Sequence, residues 1–308
     1  MRLPTFPCQR GAALLIALVA VALATLLALG LLERAQRSMA RTEALIAVER
    51  SNQYVLGMDA LAASALARAR AEGMDASAID GAWTEPFEVP GGFVQGRLLD
   101  QQGRFNLNAL ASPEAGRARR AEEVLRRLLE VLGQPPAVAA ELADWIEGGT
   151  ALRSGSVGDF WYRAQQPPYR MAGVALAHVS ELRWLRSVDG EVYQALRPHV
   201  TALPEPVLQV NINTTSDAVL AALVAGLDIE QARRVLADGP FTDLAQVLAH
   251  PQLAGRAGAE LQLELRVASN WYLSQARVVL GGVERDVFRL ISIDGAGYDF
   301  RYVSQGVP

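Results

Sequence analysis

The chain has 308 residues, 51% of them hydrophobic and 20% charged, which suits one or two globular domains plus an anchor. Its formal net charge of −4 gives no electrostatic footprint for nucleic acid, and all 29 basic residues are arginine, which excludes Schiff-base and P-loop lysine chemistry. The only cysteine, Cys8, lies close to the N-terminus, so disulfides cannot brace the folded part and stability has to come from the core or from a bound ion.

Residues 12–32 form an uncharged apolar run that begins directly after Arg10-Gly11 and leads into Glu33. As a helix, these 21 positions rise roughly 32 Å, enough to cross a bilayer core. A cleaved secretory signal is the competing reading, but the run is long for one and the helical pattern continues well beyond it. A lipobox around Cys8 is disfavoured because small apolar residues do not precede it. Arg2 and Arg10 lie before the run, with Arg34, Arg37 and Arg41 after it, so the positive-inside rule does not orient the span. A glycine placed directly before such a run, with charge just upstream, resembles the leader of type IV pilins and pseudopilins. That resemblance implies cleavage by a prepilin peptidase between Gly11 and Ala12, N-methylation of Ala12 and retention of the apolar helix. Loss of Arg2 and Arg10 would bring the net charge to −6. Most members of that superfamily have Glu at the fifth mature position, whereas here it is Ile16.

From residue 12 to about 72 the composition predicts one long helix, membrane-embedded over 12–32 and amphipathic afterwards, ending near Gly73. Short strand signals follow at 87–89 and 93–99 around Pro90-Gly91-Gly92, and again at 105–108 after the turn Gln101-Gln102-Gly103. Helical character returns from about 113 to 265, before strands at 277–280 and 286–293 around Gly281-Gly282 and at 298–303. The simplest architecture is a sheet (73–108 and 266–308) interrupted by a helical insertion (109–265), its halves pairing across about 160 residues.

An internal repeat lies inside that insertion. Phe105-Asn106-Leu107-Asn108 recurs as Val210-Asn211-Ile212-Asn213, each followed by a helical pattern: 119–132 and 138–146, then 217–225, 229–236 and 244–248. Asn before a helix is a good cap, so two small modules are expected. The second resembles a helix-hairpin-helix, but its turn, Ala225-Gly226-Leu227-Asp228, has one glycine and an aspartate that would repel phosphate. A structural module is therefore favoured over a DNA-contacting one.

Catalytic signals are absent. His178, His199 and His250 are isolated, and no nucleophile elbow, P-loop or carboxylate couple stands out. The segment from Asp144-Trp145-Ile146-Glu147-Gly148-Gly149 to Asp159 presents carboxylates and free carbonyls that can serve Ca²⁺, although three acids are few for a site needing six to eight oxygens, and a solvated loop is the alternative.

Several segments together resemble the minor pseudopilin K family of type II secretion. They are the leader with Ile16, Asp100 with Gly103-Arg-Phe-Asn-Leu-Asn108, Asp144-Trp145, and Pro167-Pro-Tyr-Arg170. Ser180-Glu-Leu182, Leu196-Arg-Pro198, Leu203-Pro204 and Val210-Asn-Ile-Asn-Thr214 follow in order. The resemblance implies an α+β pseudopilin fold, a long transmembrane helix on an antiparallel sheet, with an α-helical insertion holding two SAM-like or helix-hairpin-helix-like modules. It implies a non-enzymatic subunit at the pseudopilus tip, supporting assembly and export across the outer membrane. Its partners would be minor pseudopilins I, J and H, the prepilin peptidase and the inner-membrane platform, with no nucleic acid. A single inner-membrane span would leave the C-terminal domain in the periplasm. Family members bind Ca²⁺ in the insertion, which makes Asp144, Glu147 and Asp159 the candidate ligands. A minor pilin of a type IV pilus or competence system, contacting DNA, is the other reading.

Overall fold

A computed structural model describes residues 10–72, 80–149, 152–256, 258–294 and 297–305. Residues 1–9 of the leader and the expected helix end at Gly73 lie outside them. The first helix, α1 (Arg10–Ala71), is continuous for 62 residues, as expected of a stretch rich in Ala, Leu, Arg and Glu with no proline. It is the one described helix long and apolar enough to cross a membrane, with a mean hydropathy of 2.8 in its most apolar window. The apolar run is bare: Leu14, Ile16, Leu26 and Leu31 are all about two-thirds exposed.

Further along α1, Val55, Met58, Ala62, Leu66 and Ala69 are buried, a three-and-four spacing that puts them on one face. That face lies on a five-stranded antiparallel sheet of order β1-β2-β7-β8-β9. Its strands are β1 (Phe87–Val89), β2 (Gly92–Asp100), β7 (Trp271–Leu280), β8 (Val283–Asp294) and β9 (Gly297–Gln305). Val55 and Met58 pack with Val94, Val278 and Leu280, while Ala62 and Leu66 pack with Leu98, Tyr272 and Ile291. The helix therefore leaves its apolar run and climbs the sheet from the Gly281-Gly282 turn towards the Asp100 and Trp271 end.

That far end is where the sheet opens. β2 and β7 pair from Gly92↔Leu280 to Asp100↔Tyr272, so the whole insertion departs after Asp100 and returns before Trp271. It holds α2 (Ala115–Val131), α3 (Ala137–Glu147), α4 (Gly158–Arg163), α5 (Gly190–Leu196), α6 (Asp217–Leu223), α7 (Ile229–Ala237), α8 (Leu244–Leu248) and α9 (Ala259–Glu264). Two short parallel bridges close it, β3 (Phe105–Asn106) with β4 (Val200–Thr201), and β5 (Val210–Asn211) with β6 (Leu265–Arg266). A single apolar core of its own runs from Phe105 to Leu265, including Leu125, Leu128, Leu142, Tyr162, Leu182, Ile212 and Leu220.

Two sequence expectations change. Phe105–Asn106 does not continue the main sheet, because its partner is β4, 95 residues downstream and invisible to local pattern. β7 starts at Trp271 and not near 277, because its first residues are buried on both faces, between α1 and the insertion, and so show no alternation.

Candidate functional site

The insertion is tied to the sheet through Asp100, the last residue of β2. This carboxylate is almost fully buried, and every donor to it is neutral. Oδ2 accepts from Ser269 Oγ (2.6 Å), Thr214 Oγ1 (2.7 Å) and Asn211 Nδ2 (3.0 Å), while Oδ1 accepts from the Gln102 amide (2.7 Å). Full hydrogen bonding is what a buried carboxylate requires. Gly103 lies against the same segment, and a Cβ there would meet the Thr214 carbonyl oxygen at 2.6 Å.

The repeated Asn pairs do matching work. In each copy the first Asn accepts from the backbone N–H of the second, Asn108 to Asn106 and Asn213 to Asn211, both at 3.1 Å. The second Asn of each pair then grips a distant loop in both directions. Asn108 donates to Leu176 and Leu203 carbonyls and accepts from the Leu176 amide, while Asn213 donates to Phe241 and Val267 carbonyls and accepts from the Phe241 amide. Asn106 caps a 3₁₀ turn, Leu107–Ala111, but α6 takes its cap from Ser216, so only the first copy uses its Asn as a helix cap.

The three candidate metal ligands do not converge. Asp144 and Glu147, one turn apart on α3, meet at the guanidinium of Arg153. Arg153 Nη1 donates to Asp144 Oδ1 (2.7 Å) and Glu147 Oε2 (2.9 Å), Nη2 to Glu147 Oε1 (2.7 Å), and Nε to Glu122 Oε2 on α2 (3.0 Å). The Arg153 amide donates to Asp144 Oδ2 (3.0 Å) as well. Hydrogen bonds from Glu147 foremost, with those of Asp144 and the charge of Glu122, raise the Arg153 pKa against a burial penalty. Asp159 is elsewhere, pairing with Arg163 and accepting from the Met171 amide. No group of three His, Cys, Asp or Glu able to hold a metal occurs among the described residues. These residues do not fit a calcium ion, because a guanidinium already stands between the carboxylates and takes their oxygens. Arg153 and Glu122 escaped the sequence reading, which looked for acids and not for the cation that would join them.

Beside this centre, four rings stack in sequence, with edge-to-face contacts at both ends and a tilted one between them. Trp145 meets Tyr162 at 5.3 Å, Tyr162 meets Tyr169 at 5.4 Å, and Tyr169 meets Trp184 at 5.1 Å. Asp144-Trp145 and Pro167-Pro168-Tyr169 thus belong to one structural unit, the Asp to the ionic centre and the two rings to the stack.

The remaining candidates have modest roles. His178 and His250 cap 3₁₀ turns, and His199 Nδ1 lies 2.8 Å from Ser216 Oγ. In the helix-hairpin-helix-like turn, Asp228 caps α7 through the Gln231 amide, so a carboxylate already occupies the place a phosphate would take. Gly11 and Ala12 are helical backbone within α1, and Ile16 projects from it fully within the apolar run.

Comparison with known proteins adds a different kind of finding. Two family profiles, both described as Type II secretion system (T2SS), protein K, match residues 103–205 and 210–266. The gap between them directly precedes the second Asn-x-Asn pair, Asn211-Ile212-Asn213. Type II secretion system protein K of Klebsiella pneumoniae is 32% identical over 304 residues, covering 93% of each chain. The Pectobacterium carotovorum protein of that name is 29% identical over 307 residues, again 93% of each, and the Pseudomonas aeruginosa one is 32% identical over 243 residues, 74% of this chain and 72% of its own. Among solved structures, the crystal structure of the GspK-GspI-GspJ complex from enterotoxigenic Escherichia coli contains a chain that superposes with a TM-score of 0.74 at 27% identity, covering 87% of this chain and 100% of that one.

Proposed function

Because this chain belongs to the type II secretion system protein K family, we propose that it is the non-enzymatic minor pseudopilin that ends the pseudopilus, assembling with pseudopilins I and J and resting on H. One observation carries the terminal position: the insertion leaves and re-enters the sheet at the end farthest from the apolar run of α1. A filament of such subunits grows by stacking α1 helices along its axis. A subunit whose membrane-distal end is covered by some 170 residues of separately cored structure leaves no room for another above it.

Ile16 agrees with that place. A carboxylate inside an apolar helix bundle is tolerable only when paired, and a subunit with none above it meets no neighbouring amine to pair with. The maturation reading is cleavage between Gly11 and Ala12 by a prepilin peptidase, methylation of Ala12, a single inner-membrane span and a periplasmic C-terminal domain served by the inner-membrane platform. The insertion modules are SAM-like helical units with a structural role, and we read Arg153 as the internal cation that makes bound calcium unnecessary for their folding. Supporting export across the outer membrane then follows from starting and capping the pseudopilus, not from chemistry.

Co-expression of the full chain with its system's pseudopilins I and J, followed by solubilisation and affinity capture, tests the reading: a stable ternary complex is expected. A chain recovered alone, or one that instead shows salt-sensitive DNA binding, would overturn it. Mass spectrometry of the mature N-terminus should find methylated Ala12; a start within or beyond the apolar run rejects the maturation step.

A further inference from the structure

Between the insertion and the sheet face opposite α1 lies a pocket of about 410 Å³. Its floor includes Leu273 of β7 and Phe288 of β8, with Tyr193 of α5 on the facing wall. Three arginines, Arg97, Arg104 and Arg197, line it, and no aspartate or glutamate does. Arg97 is occupied, since its Nε donates to Gln275 Oε1 at 2.7 Å and its guanidinium lies 4.7 Å over the Trp83 ring. Arg104 and Arg197 form no ion pair among the described residues.

Two carboxylates, Asp80 and Asp100, act on Arg104 by charge, and neither lines the pocket. Asp100 is filled by its four neutral donors, and Asp80 accepts from the Asp100 amide at 2.7 Å. Burial lowers the Arg104 pKa most, the charge of Asp80 offsets part of this, and the charge of Arg197 lowers it further against a smaller pull from Asp100. Two guanidinium groups that line one pocket, with no carboxylate in its lining, favour an oxyanion there, and a carboxylate matches a guanidinium in geometry and charge. The apolar floor adds a second requirement, because inorganic anions gain nothing from Leu and Phe, whereas an organic body attached to the carboxylate does. The volume suits one or two side chains of a peptide.

We propose that this pocket binds an acidic peptide segment, with Arg104 and Arg197 holding a carboxylate and Leu273 and Phe288 receiving its apolar neighbour. The site is independent of the tip assignment, since it depends only on where the insertion packs against the sheet.

Calorimetric titration of the full chain in detergent micelles tests it with three probes: acetyl-Leu-Glu-Leu-amide, its Gln counterpart and inorganic phosphate. The Glu peptide should bind at least tenfold more tightly than the other two, and Arg104→Gln should weaken it at least tenfold. Arg197→Gln gives the same readout should the first variant fail to fold. Equal binding of the Glu and Gln peptides, or phosphate binding as tight as the Glu peptide, would each overturn the proposal.

Discussion

At the scale of single residues, two charged centres of this protein are handled in opposite ways. Arg153 is surrounded: three carboxylates from two helices share one guanidinium, and Asp144 is wholly excluded from solvent. Removing one partner from such a centre leaves an uncompensated buried charge. Arg153→Gln should therefore cost about 3 kcal/mol, read as a lower melting temperature. The native chain should melt at the same temperature with or without a chelator. Asp59 is the opposite case. It sits on α1 well beyond the apolar run and faces Arg289 of β8 at 2.9 Å, yet burial outweighs that partner and pushes its pKa up to about 6. Its folded pKa thus lies above the value near 4 of an unfolded chain, so the folded state holds the proton more tightly. Stability from this residue is full below about pH 4 and is lost as pH rises through 6, by up to about 3 kcal/mol. Unfolding curves between pH 4 and 7 should show that slope in the native chain, and the difference between native and Asp59→Asn should isolate it.

At the scale of elements, glycine separates contacts that can yield from contacts that cannot. A Cβ at Gly96 on β2 would clash with the terminal methyl of Met58, and that flexible side chain can swing away. A Cβ at Gly103 would meet the Thr214 backbone, which is pinned through Thr214 Oγ1 to Asp100. Gly103→Ala should accordingly cost about 2 kcal/mol or more and Gly96→Ala about half as much, measured by denaturant unfolding. Much of this element layer was legible in the sequence. Glycine pairs marked both hairpins, the Asn-x-Asn repeat marked two anchor points of the insertion, and the amphipathic composition beyond residue 32 marked α1 as a packing helix, although Ala62 and Leu66 of its buried face were not picked out. Much of what was not legible traces to sequence distance. The partner of β3 is 95 residues away, and Glu122 is 31 residues from the arginine it pairs with. Local periodicity carries no information about either, and the early start of β7 was hidden because burial on both faces erases alternation.

At the scale of the whole molecule, the insertion behaves as a second body joined to the first at one edge. It has its own core, while α1 and the sheet are held by two smaller clusters, and the buried knot at Asp100 joins the two bodies. The register makes the insertion separable by design: Asp100 pairs with Tyr272, and the Gln101 amide already donates to the Trp271 carbonyl at 3.0 Å. Replacing residues 102–270 with Asn-Gly would close β2 and β7 into an ordinary two-residue hairpin. The shortened chain keeps α1, the sheet and the contacts of Val55, Met58, Ala62 and Leu66, so it should still insert in the membrane and show strand and helix signals by circular dichroism. What it loses is the bulk at the membrane-distal end. If that bulk is what ends the filament, cells carrying only the shortened form should assemble longer pseudopili than cells carrying the full chain, as measured on sheared filaments by electron microscopy. Filaments of unchanged length from a folded, membrane-inserted deletion would show that the insertion does not set the end. The terminal position would then have to come from Ile16 and the apolar run alone, and Ile16→Glu in the full chain would become the deciding variant.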